Sequence, residues 1–247
     1  MEKKSFKRFW EIDFLRGIAV VMMIIFHLFY DLNYFNIYRF SLYSGYFLVY
    51  VYLIGTLFFL LIGISLTLSY NNVKKSLTKK ELQLKYLKRG LKIFVLGLFI
   101  TFITWLYLGE GYIIFGVLHC IGISIILAYP LLHFRYFNLL IGFSFISAGL
   151  IIKYYTFDFQ WLIWLGFKPV QFYTIDYFPL LPWFGVILIG IFLGNTLYQD
   201  YNRIFNLKDI SGLKIISFFK FLGRHALIIY FIHQPILLSL LYLFFRI

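Results

Sequence analysis

The chain of 247 residues is 62% hydrophobic and 23% aromatic, with only 13% charged residues, about half the charged share of an average soluble domain. No long polar stretch exists to build a separate soluble domain, and apolar runs recur from end to end, so the composition predicts an all-α, polytopic transmembrane helix bundle forming a single domain over residues 1–247. The net charge of +13 raises nucleic acid as a partner, but the basic residues cluster in loops between apolar runs, as membrane topology places them, and no nucleic acid is expected.

The basic N-terminus, MEKKSFKRFW, precedes an apolar run as a signal peptide would. That run is long, carries charges and lacks a clear small-residue cleavage site, so it reads as a retained first span. Seven spans follow the apolar pattern, at about 12–33, 46–70, 91–108, 112–132, 137–153, 178–198 and 222–244, each near the ~20 residues a bilayer needs. Between the second and third lies the polar segment NNVKKSLTKKELQLKYLKR (71–89), where Thr78 and Glu81 have capping-box spacing and the leucines leave room for a basic interfacial helix.

Lys and Arg placement orients these spans. With the N-terminus cytoplasmic and the C-terminus outside, the inner segments hold Lys3, Lys4, Lys7 and Arg8, the lysine run of 74–89, Arg135, and the basic residues of 203–220. The outer segments hold only Arg39, Lys153, Lys168 and Arg246. The lipid bilayer, in the cell membrane, is therefore the expected surrounding.

The first span, DFLRGIAVVMMIIFHLFYDLN (13–33), is apolar yet carries Asp13, Arg16, His27 and Asp31. At about 100° per residue these four share one narrow stripe. A charge at membrane depth costs on the order of 3 kcal/mol or more, so the stripe is expected to face a polar cavity rather than lipid. His27 lies about 16 Å along the helix from Arg16. Two tiers result: an inner one of Arg16, Lys92, Arg224 and His225, and an outer one of His27, Asp31, His119 and Asp176, with His233 near mid-depth of the last span. Asp31 stands four residues after His27, on the same face, where its carboxylate can orient the ring and leave one nitrogen free as a base.

Each residue also has a plain structural reading. Arg16 can pair with Asp13 or snorkel, and a lone membrane histidine such as His119 or His233 is more often an interhelical hydrogen bonder. The glycines (Gly55, Gly63, Gly97, Gly122, Gly190, Gly194) permit close helix packing, and Pro235, Pro179 and Pro182 kink or end helices. Cys120 is the sole cysteine, so disulfides within the chain are impossible and no metal cage is expected.

The first span, with FGVLHCIGIS (115–124), DYFPLLPWFGVILIGIFLG (176–194) and FLGRHALIIYFIHQPIL (221–237), resembles the prokaryotic branch of the heparan-α-glucosaminide N-acetyltransferase catalytic-domain family. The resemblance runs in order through nearly the whole chain. Leu15, Arg16, Gly17 and His27 are also similar to the LRG…H pattern of the wider membrane acyltransferase superfamily, whereas FFLLIGIS (58–65) has Ile62 where that superfamily's second block has serine. The resemblance implies transfer of an acyl group, usually acetyl from cytosolic acetyl-CoA, to a sugar or glycan; acceptor identity does not carry over. In that reading Arg16, Lys92, Arg224 and His225 meet the CoA phosphates, His27 with Asp31 is base or acetyl carrier, His119 assists by proton transfer or by holding the oxyanion, and Asp176 and His233 face the acceptor. Acetyl-CoA is then a co-substrate. The oligomeric state is left open, a homodimer among the alternatives. Two rival classes stand beside it: a small-solute or proton-coupled transporter, which needs the same buried His, Asp and Arg, and a structural membrane protein, for which alanine at His27 is harmless.

Overall fold

The computed structural model describes residues 8–42 and 44–246. Lys3, Lys4 and Lys7, used above for orientation, lie outside them. Eight α-helices run in order among the described residues: α1 (Trp10–Tyr34), α2 (Gly45–Val73), α3 (Lys79–Leu108), α4 (Val117–Ala128), α5 (Tyr136–Ile152), α6 (Leu180–Leu197), α7 (Lys214–Arg224) and α8 (Ala226–Phe245). A two-residue hairpin, β1 (Tyr198–Gln199) and β2 (Asn202–Arg203), follows α6. Five helices, α1, α2, α3, α6 and α8, are long and apolar enough to cross a membrane; α4 and α5 are apolar but shorter. The chain forms two compact units: Met1–Leu61 with Leu207–Ile247, and Ile62–Asn206.

In the first unit α1 packs on α7 and on α8. The α1–α7 approach is one of backbones. A Cβ on Gly17 would meet the backbone of Phe219, and one on Gly223 the carbonyl of Asp13. Small residues at such crossings let helices gain dispersion contacts that lipid cannot supply. Phe14 and Phe219 stack edge to face at 5.5 Å beside the crossing, and Tyr50 of α2 donates its hydroxyl hydrogen to the Met22 carbonyl of α1 (3.0 Å).

In the second unit α3 packs on α4 and α5 on α6. The same device recurs: Gly90 faces Gly122 across α3–α4, and Gly142 faces Gly185 across α5–α6. The end of α2 joins α6 through Thr67, whose hydroxyl bonds the carbonyls of Gly63 (3.2 Å) and Ile191 (3.4 Å). Along α6, Ile187, Leu188 and Ile191 are fully buried.

Three local expectations change. The 71–89 segment holds no separate interfacial helix: the Thr78–Glu81 capping box is present, but it opens α3, which runs unbroken from Lys79 to Leu108. The stretch expected to cross from residue 112 becomes helical only at Val117, because 111–116 is extended against 174–178; the Ile175 N–H bonds the Gly111 carbonyl (2.9 Å) and the Phe178 N–H the Phe115 carbonyl (3.0 Å). The last span, expected from residue 222, begins at Ala226. Leu222 to Arg224 close the separate helix α7, and His225 breaks the chain direction with ψ near 14°.

Candidate active site

The first unit gathers two of the expected groups of ionisable residues. At the start of α1, the Asp13 carboxylate accepts from Arg16 Nη1 (3.1 Å) and from Arg224 Nε at the end of α7 (3.0 Å). The Arg16 group also reaches the Gly223 carbonyl (3.4 Å). Asp13 thus sits where the α1 dipole favours an anion and clamps both arginines. Two guanidinium groups against one carboxylate leave a net positive charge. Arg224 is part-exposed, and Nε is the atom it spends on Asp13. His225 follows at the α7–α8 break, with Nδ1 2.8 Å from the Phe221 carbonyl.

Further along α1, His27 and Asp31 meet α8. The His27 ring stands edge-on to His233, with ring centroids 4.7 Å apart. Gln234 Nε2 donates to Asp31 Oδ1 (2.7 Å). Asp31 therefore takes its hydrogen bond from Gln234 and not from the His27 ring, and His27 has an imidazole for a neighbour. The His233 Nδ1 lies 2.8 Å from the Tyr230 carbonyl and 3.2 Å from that of Ile229. Carbonyl oxygens only accept, so Nδ1 carries hydrogen and Nε2 of the neutral ring is a lone pair. Asp31 is 2% exposed and His233 7%. The atoms Asp31 Oδ2, Gln234 Oε1 and His233 Nε2 are buried without a hydrogen-bond partner among the described residues.

His119 and Asp176 belong to the second unit, as does Lys92, an exposed residue of α3. His119 accepts the Gly116 N–H on Nδ1 (3.2 Å), so its neutral ring carries hydrogen on Nε2, which faces Thr101 Oγ1 (3.4 Å); the Thr101 hydroxyl continues to the Ile113 carbonyl (2.7 Å). Both ring nitrogens are occupied. Gly116, the cap residue of α4, has no side chain to bond the first turn. Asp176 does so from a distance, its Oδ2 accepting the Val117 N–H (3.3 Å). His119, expected to assist at the reacting centre, and Asp176, expected to face the acceptor, thus both hold the entry of α4.

Burial raises the Asp176 carboxyl from its ordinary 3.8 to about 6, the Val117 N–H holding it back in part. A carboxyl whose folded-state value lies above its unfolded one binds more protons when folded. Stability is then greatest at low pH and is lost as pH rises through the window from about 4 to about 6. Asp176→Asn is expected to flatten this slope; unfolding midpoints of both proteins from pH 4 to 8 check it, and parallel curves would refute it.

Sequence reasoning missed Gln234 and the clamp role of Asp13 between two helices. Gln234 had a signal: it is the sole amide of α8, beside His233 in IHQP.

Fold and site together define a helical integral-membrane protein with ionisable side chains gathered between apolar helices. Residues 8–235 match the family described as heparan-alpha-glucosaminide N-acetyltransferase, catalytic, and the chain belongs to that family. Membership points to membrane acetyltransferase activity. No curated protein and no solved structure matches the chain.

Proposed function

We propose that this protein is a membrane-embedded acyltransferase that moves an acetyl group from cytosolic acetyl-CoA to a sugar or glycan acceptor at or across the cell membrane. The carrying observation is the family match, which spans both units and includes Arg16, His27, Asp31, His119 and His233. It favours acyl transfer over the transporter alternative, for which buried ionisable groups are the sole argument.

In this reading His27, with Asp31 one turn away, is the base or the acetyl carrier. The net positive group of Arg16, Asp13 and Arg224, with His225 behind it, meets the CoA phosphates. Arg224 is the better phosphate ligand of the two arginines, because Arg16 lies deeper and is shared between Asp13 and a backbone carbonyl. Guanidinium suits phosphate oxygens through paired N–H donors. His119 and Asp176 fix the entry of α4 within their own unit.

Acetyl-CoA binding and thioester cleavage by the purified protein test the reading. Arg224→Ala is expected to raise the acetyl-CoA KM about tenfold and to weaken its salt dependence. Normal binding by this variant would move the phosphate site elsewhere, with the basic start of α3 the next place to look.

The topology proposed for this activity keeps the N-terminus inside and the C-terminus outside, with α4 and α5 completing seven crossings. A cysteine placed at Ser76 should then react with an impermeant thiol reagent only from the cytoplasmic side. Labelling of intact cells at that position would overturn the orientation.

A further inference from the structure

The group between α1 and α8 has a one-sided hydrogen-bond inventory. The Gln234 amide spends its N–H on Asp31 Oδ1, and the adjacent carboxylate fixes that amide's orientation, since the reverse would set oxygen against oxygen. Gln234 Oε1 is then an acceptor, Asp31 Oδ2 is a second, and the His233 Nε2 lone pair a third; all three are buried and unpartnered among the described residues. The missing partner must supply donors. A thioester carbonyl or a tetrahedral oxyanion supplies none and needs donors from the protein. Hydroxyl and amino groups supply them.

A shallow surface depression of about 430 Å³ lined by Phe35, Leu238, Ser239 and Tyr242 lies beyond the cluster, at the end of α1 and on the second half of α8. Phe35 follows Asp31 by four residues and Leu238 follows Gln234 by four, so each shares a face with its partner.

We propose that Asp31, Gln234 and His233 form the subsite of the acyl acceptor, and that His233 Nε2 takes the proton its nucleophile gives up. The proposal rests on the acyltransferase reading and assigns the second histidine a catalytic role. The acceptor's nucleophilic hydroxyl or amine donates to His233 Nε2, and its neighbouring hydroxyl groups donate to Asp31 Oδ2 and Gln234 Oε1. Its oxygen or nitrogen forms a bond to the acetyl carbonyl carbon, and the bond from that carbon to the CoA sulfur, or to His27 if the acetyl group rests there, breaks with its electron pair. The nucleophile's proton passes to His233 Nε2 and later to the departing thiolate or to solvent. The imidazolium formed in between is stabilised by the Tyr230 carbonyl, which already accepts from Nδ1.

The test uses the purified full chain in lipid nanodiscs, with water, glucosamine and N-acetylglucosamine as acceptors. Glucosamine offers an amine and hydroxyls, N-acetylglucosamine hydroxyls alone, so the pair separates the two nucleophiles. His233→Gln keeps a polar group of similar reach without a basic nitrogen. It is expected to lower kcat by about 100-fold or more while the acetyl-CoA Kd changes less than about twofold. Imidazole added to His233→Ala should restore part of the rate. Asp31→Asn and Gln234→Leu should raise the acceptor KM and leave the acetyl-CoA Kd alone. A His233→Gln protein that keeps kcat within about threefold of wild type, or that loses acetyl-CoA binding together with turnover, would overturn the proposal while leaving the acyltransferase reading in place. Wild-type protein that neither binds acetyl-CoA nor cleaves its thioester would overturn both.

Discussion

Replacing His27 by alanine is expected to lower acetyl transfer by about 10²–10⁴-fold, a loss of the size that removing one positioned catalytic group brings, while acetyl-CoA binding survives. The CoA phosphates are assigned to residues at the other end of α1, about 16 Å away along the helix axis, so the two losses are separable. Asp31→Asn should cost less. The wild-type carboxylate accepts from Gln234 (2.7 Å), and an asparagine oxygen can take over that bond, so the His27 ring keeps its surroundings and loses only a nearby charge. His119→Ala should behave differently from both. It removes the acceptor of the Gly116 N–H and the neighbour of Thr101, so it should lower the unfolding midpoint in proportion to its effect on turnover. Steady-state kinetics with thermal unfolding of the three variants decides the matter. If His119→Ala abolishes transfer in a protein of normal stability, and His27→Ala stays within a few-fold of wild type, the two roles should be exchanged.

What the sequence disclosed depended on period and spacing. The four-residue offset of His27 and Asp31 put them on one face, and the structure gives that face to α8, where His233 and Gln234 meet them. The capping box at Thr78 and Glu81 was legible because it is local. Hydropathy alone, by contrast, cannot separate a continuous span from an extended approach followed by a helix. Residues 112–116 are apolar enough to join α4, but pairing with 174–178, some sixty residues away, and bonds between Ile113 and both Thr101 and Thr104 of α3 hold them extended. The break at His225 was hidden because only Gly223, Arg224 and His225 separate Phe221 and Leu222 from the apolar run of α8. The role of Asp13 required knowing that α7 crosses α1 at its first turns, and that crossing is written in two glycines, Gly17 and Gly223, whose partners lie some two hundred residues apart. The occupation of both His119 nitrogens likewise depends on Thr101, a residue of another helix with no marking in the sequence.

The second large effect is expected at Gly223. A Cβ added there would run into the Asp13 carbonyl oxygen, with the Gly17 backbone nitrogen close behind. A flexible side chain could swing aside, but both obstacles are backbone of α1, so α7 itself must move. Overpacking of a well-fitted contact typically costs about 1–3 kcal/mol, and a backbone-to-backbone clash belongs at the upper end. At about 2–4 °C per kcal/mol for a chain of this size, Gly223→Ala should lower the unfolding midpoint by about 6 °C or more. Function should suffer with it, because Arg224 is the next residue and its 3.0 Å bond to Asp13 needs the two helices at their present separation. Gly17→Ala, which drives the same two helices apart from the other side, should mimic it. Gly212 is the control: a Cβ there meets nothing within 4 Å, and Gly212→Ala should leave the midpoint unchanged. If Gly223→Ala melts within about 1 °C of wild type, the close α1–α7 crossing is wrong, and the positive group built on it must be placed anew.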